Sequence, residues 1–147
     1  MMTSDALETV LGPHVMHIAS QETEARATDR RWLTSTGLYV ALIELPAEER
    51  RIESSAVDYL LSTTVDRYTR EFDGRVSAVF EYELTGAIAA RLARLNVVSG
   101  VGESLGLLVL AAQSARHLVT LQLAWPVERT RMMESEVVEV MSRFRLS

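Results

Sequence analysis

The 147-residue chain contains no cysteine. Disulfides, thiolate nucleophiles and cysteine-ligated metal sites are therefore excluded. Lysine is absent as well, and all 15 basic residues are arginine. That removes Schiff-base chemistry and any phosphate-loop lysine. An arginine-only basic set is what a GC-rich coding sequence produces, so no partner is read from it. An excess of positive charge is missing too. Twenty acidic residues give a net charge of −5, which argues against nucleic acid and anionic membrane as partners. No apolar run approaches the roughly 20 residues that a membrane-spanning helix needs. The first residues, "MMTSDALETVLGPHVMHIAS", are acidic early and have no basic segment ahead of their apolar residues. The expectation is a cytoplasmic protein with no secretory signal and no membrane insertion.

What is present is apolar. Hydrophobic residues make up 48% of the chain, enough to build a core and too many for intrinsic disorder. The expected architecture is one α+β domain over residues 1–147, an antiparallel β-sheet covered by amphipathic helices.

Residues 3–11 have the pattern of a short helix, stopped by Gly12-Pro13. "HVMHIAS" has strand composition, and "QETEARATDRR" reads as a polar loop. "WLTSTGLYVALIEL" reads as a strand or, with a turn at Thr36-Gly37, a hairpin that Pro46 ends. Ser55 and Asp58 have the spacing of a capping box. Val57, Leu61, Val65, Tyr68 and Phe72 then recur at steps of four, four, three and four, predicting one apolar helical stripe. Asp73-Gly74 is the expected stop, with Gly74 free to turn left-handed. "RVSAVFEYEL" has strand composition. Residues 87–95 are ambiguous: their alanines favour helix, their place between strands favours a strand, and the strand reading is adopted. "SLGLLVLAAQ" and "HLVTLQLAW" read as two strands joined by "SARH". In the second, Val119, Leu121, Leu123 and Trp125 alternate with Thr120 and Gln122. Thr130 is a candidate cap for a last helix whose inward face is Met133, Val137, Val140 or Met141, and Phe144.

"VVEVMSRFRLS", directly after "HLVTLQLAWPVE", resembles the close of the PsbP-like superfamily. That group includes an extrinsic photosystem II subunit, a Ran-binding nuclear import factor and the effector chaperones of type VI secretion. "LIELPAEERRIESSAVDYLLSTTVDRY" is similar to the chaperones, in which a strand leads through an acidic turn into a helix. The resemblance spans roughly residues 38–146. It implies a PsbP-like α/β/α sandwich, and it brings no catalytic residues with it.

No catalytic constellation stands out. His14 and His17 are three apart, but Pro13 precedes them, no cysteine can join them, and His117 falls in an expected turn. Ordinary histidines are the better account. No G-x-S-x-G accompanies the Ser, His and Asp residues. "GVGESLG" lacks a strand-to-helix context and reads as a hairpin loop. Glu44, Glu48, Glu49 and Glu53 read as a charged turn rather than a glycosidase pair, and Glu81 and Glu83 as solvent-facing. Arg26, Arg30, Arg31, Arg50, Arg51, Arg91 and Arg94 could meet an anion, though solvation or pairing with glutamates is the better account. Trp32 and Trp125 read as core, with Trp125 also a candidate partner anchor.

The expected function is therefore non-enzymatic, with no cofactor and no metal: an adaptor or secretion-type chaperone binding an apolar segment of a protein partner, and forming a homodimer. The alternative is a small-molecule-binding protein or enzyme with an apolar cavity between sheet and helix, using Tyr59, Tyr68, Tyr82 and His117. "SLGLLVLAAQ" is apolar on both faces, so if both helices lie on one face, the other needs a partner. Leu107 with Val109, or Leu108 with Leu110, would then form the contact.

Overall fold

The structure is a computed structural model that describes residues 15–22, 28–34, 36–46, 54–98, 102–115 and 117–146. Its elements in chain order are β1 (Val15–Glu22), β2 (Thr28–Thr34), β3 (Tyr39–Pro46), α1 (Ser54–Glu71), β4 (Asp73–Glu81), β5 (Ala89–Val98), β6 (Ser104–Gln113) and β7 (His117–Pro126). A single 3-10 turn, Val127–Arg129, leads into α2 (Thr130–Arg143). The strands form one seven-stranded sheet in the order β1-β2-β3-β7-β6-β5-β4, and every pairing is antiparallel. The chain is thus an α+β domain, as its pattern of elements predicts. The described residues form three layers, because the two helices among them lie on opposite faces of the sheet.

Each helix is placed by its own stripe. Val57, Leu61 and Val65 of α1 are buried on Ala93, Leu95, Val97, Leu107, Val109 and Ala111. Met133, Val137, Val140 and Met141 of α2 are buried over Val40, Leu42, Leu92, Leu110, Leu121 and Leu123 on the other face. This separation overturns the premise that both helices share a face. β6 is apolar on both faces because the chain covers it twice by itself. Of residues 87–95, Ala89 onward adopts the strand reading, with Ala87 and Ile88 in the turn before it: β5 pairs continuously with β6 from Ala89↔Gln113 to Val98↔Ser104. Their helical propensity is overridden by burial against both helices.

Three turn residues behave differently from expectation. Gly74 lies in β4 and is not among the positive-φ glycines. A Cβ there would stand 2.8 Å from Val97 Cγ1, so the glycine serves close packing of α1's end on β5 rather than a left-handed stop. Thr130 is the first residue of α2, and no side chain caps that helix. Its hydroxyl donates to the Val127 carbonyl (2.6 Å) and accepts from Trp125 Nε1 (3.2 Å). The described parts of the polar run at 21–31 are strand, with Gln21 and Glu22 in β1 and Thr28 to Arg31 in β2. By contrast Thr36-Gly37 does turn the β2–β3 hairpin, with Gly37 at φ +98°. The helix expected at 3–11 lies outside the described residues, as do His14, Glu48, Glu49, Glu53, Arg26, Arg50 and Arg51.

Candidate functional site

Because α1 crosses β4, β5 and β6, it leaves the β7, β3 and β2 portion of its sheet face beside it rather than beneath it. A cleft of about 520 Å³ opens along that step. Its floor is apolar, formed by Val97, Leu105, Leu107 and Ala124. One wall is the C-terminal half of α1, with Arg67, Tyr68 and Phe72. The rings of Tyr68 and Phe72 stack with centroids 6.2 Å apart, and the Arg67 guanidinium lies over the Tyr68 ring at 5.6 Å. On the β3 side stand Tyr39 and Arg31, and Glu103 closes one end.

The polar groups in the cleft are held from behind. Arg31 forks onto Asp29 through Nε and Nη2, both at 3.0 Å. Its Nη1 donates to the Tyr39 hydroxyl. The Asp29 carboxylate is the main cause that holds the Arg31 guanidinium above its ordinary pKa. Tyr68 donates to Gln122 Oε1, and the buried Gln122 donates in turn to Thr120 Oγ1 (3.3 Å). Burial raises the Tyr68 hydroxyl's pKa, with the nearby Arg67 pulling the other way. The sequence pattern placed Thr120 and Gln122 opposite the apolar face of β7, and they are. Both are buried, and the Tyr68 hydroxyl reaches across from α1 to Gln122.

A second surface lies at the sheet's edge. Among the described residues β4 pairs on one side only, with β5. Val76, Val79 and Phe80 are exposed along it, Val79 to 58%, and Ile88 of the following turn is exposed too. Pairing with Leu95 and Ala93 puts Val76 and Val79 on the α1 face, while Phe80, opposite Leu92, is on the α2 face. A bulge between Val76 and Ala78 interrupts the strand, and there Ser77 Oγ donates to the Arg94 carbonyl at 3.0 Å.

The contact residues expected from the strand pattern fall elsewhere. Leu107 and Val109 are buried under α1, and Leu110 under α2 with Leu108 half-buried beside it. Trp125 is core: its indole lies 2.7 Å from where a Cβ on Gly106 would stand. None of these five offers the broad exposed face expected of a docking strand, although Leu107 and Trp125 also line the cleft beside α1. Of the tyrosines assigned to a cavity, only Tyr68 lines the cleft. Tyr59 is exposed, and Tyr82 donates to the Met141 carbonyl at 3.3 Å. His117 starts β7 at the opposite end of that strand from Ala124 and Trp125. Arg91 bridges Glu81 and Asp58, each at 3.2 Å, and so takes the glutamate-pairing reading. Tyr39 and Arg31 were missed as a pair because they meet only through the β2–β3 register. The surface on β4 was missed because strand composition does not tell an edge from a centre.

Among the described residues no group of three or more histidine or acidic side chains could hold a metal ion. No helix among them is long and apolar enough to cross a membrane.

Fold and site together define an α+β domain with one mixed cleft and one apolar sheet edge. The chain is similar in structure to PA94 from Pseudomonas aeruginosa, a crystallised protein of unknown function suggested to be a regulator. The TM-score is 0.58 at 11% sequence identity, over 90% of this chain and 81% of that one. At that identity the likeness shows the fold alone. No protein-family model matches the chain, and no curated protein matches it.

Proposed function

We propose that this protein is a non-catalytic interaction module, an adaptor or secretion-type chaperone of the cytoplasm that holds an apolar segment of a partner protein. The observation that carries this reading is the edge strand β4, whose Val76, Val79 and Phe80 are exposed on both faces of the sheet. Exposed apolar groups on an unpaired edge invite either a partner or aggregation, and natural edges are usually charged or covered. The bulge at Ser77 limits the backbone bonds an added strand could make. The contact therefore rests on side chains, rimmed by Arg75 and Glu81 at the strand's two ends. The resemblance of the chain's last two elements to the PsbP-like superfamily, which includes effector chaperones, supports the same reading. Without a client, the same edge is the seat of a homodimer.

Sedimentation equilibrium at micromolar concentration tests this directly. The wild-type chain dimerises or binds a hydrophobic dye, and Val79→Asp with Phe80→Ser abolishes both while leaving the melting temperature within a few degrees. A monomer that ignores the dye, or a dimer indifferent to both substitutions, refutes the assignment.

A further inference from the structure

We infer that the cleft beside α1 is a binding site for a small amphipathic monocarboxylate, its apolar body on the sheet floor and its carboxylate between Arg67 and Tyr39. The site is separate from the β4 edge, and its argument does not depend on the interaction role. Its volume of about 520 Å³ falls in the range of roughly 300–1,000 Å³ typical of small-molecule sites. Val97, Leu105, Leu107 and Phe72 offer an apolar bed.

The polar groups select the charge. Arg31, Arg91 and Arg143 each hold a carboxylate of the chain. Arg67 has no such ion pair among the described residues, and it lies over Tyr68 at the cleft wall. Its planar fork suits a carboxylate. The Tyr39 oxygen accepts from Arg31, so its own O–H is left to donate. Arg31 therefore acts as a positioning residue, locked by Asp29 and aiming Tyr39. The Tyr68 proton is committed to Gln122, so Tyr68 contributes its ring rather than a bond to the anion. Arg31, Tyr39, Arg67 and Tyr68 all line this one cleft. One arginine fork and one hydroxyl beside an apolar bed suit a monoanion with an apolar body.

Calorimetric titration with decanoate, below its micelle concentration, and with uncharged decanamide tests the inference. We expect saturable 1:1 decanoate binding and at least tenfold weaker decanamide binding. Arg67→Gln and Tyr39→Phe should each weaken decanoate about tenfold and leave decanamide unchanged, at unaltered melting temperature. Ala124→Trp should fill the floor and abolish both. Absence of saturable decanoate binding up to millimolar concentration overturns the inference. So does decanoate binding that neither Arg67→Gln nor Tyr39→Phe changes, since the anion would then not be held where we place it.

Discussion

At the scale of single residues, the least comfortable group is Glu44. It is half-buried on β3, and its Oε1 has no hydrogen-bond partner among the described residues. Burial pushes its carboxyl pKa up, and Arg30 opposes that only partly. A carboxyl whose pKa is higher folded than unfolded holds its proton more tightly in the native state. Its contribution to stability is then greatest below the ordinary carboxylate range and declines as pH rises through the raised value. Glu44→Gln should accordingly gain stability over wild type as pH goes from 4 to 7 in urea titrations. A variant that loses ground over that interval would reverse the assignment. Gly106 is a second sensitive point. A Cβ there would stand 2.7 Å from Trp125 Cε2 and Nε1, so Gly106→Ala must displace the indole and weaken its bond to Thr130. Such overpacking costs about 1–3 kcal/mol, readable as a lowered midpoint in chemical denaturation.

At the scale of elements, α1 is held on the sheet by its apolar stripe. Leu61 lies at the centre of that stripe, 5% exposed. Leu61→Ala should cost about 2–5 kcal/mol, and Asp66→Ala, on the exposed side, under about 0.5 kcal/mol. Equal losses in urea would mean that α1 is held by something other than its stripe. The stripes of α1 and α2 were legible because periodicity of 3.6 survives in a linear sequence whatever the helix packs on. β6 was legible to the residue and β7 to within one residue, which its last strand residue Pro126 adds, for a similar reason. The face each helix occupies was not legible. A stripe states that a helix must cover something, and it does not state which side of the sheet. That choice decided the fate of Leu107 to Leu110: the apolar doubling of "SLGLLVLAAQ" was correctly noticed, and the chain's own two helices satisfy it. A cavity between sheet and helix with Tyr68 in it was legible, but its other polar groups were not, for a related reason. Arg31, Tyr39 and Arg67 are brought together by strand register and by the step between α1 and β7, and neither leaves a local pattern.

At the scale of the whole molecule, the two surfaces make separable claims, one on assembly and one on ligand. If both hold, decanoate should bind the monomeric Val79→Asp, Phe80→Ser variant as tightly as wild type; a tenfold loss in the same titration would show that cleft and edge communicate. The sheet itself is two sequence-local arrays, β1-β2-β3 and β4-β5-β6-β7, stitched by the single pair β3–β7. At its nearest point, Pro46↔His117, that stitch closes a chain segment of roughly 70 residues, whose loop entropy must be met before any bond of the stitch forms. The arrays can therefore acquire their hairpins early and independently, and the seam should zip last. Pulse-labelled hydrogen exchange during refolding would then protect amides between β5 and β6 ahead of those between β3 and β7. An intermediate caught at that stage would carry two raw strand edges at the seam, β3 and β7, in addition to β1 and β4. Refolding yield should thus fall with protein concentration far more steeply than native stability alone would suggest.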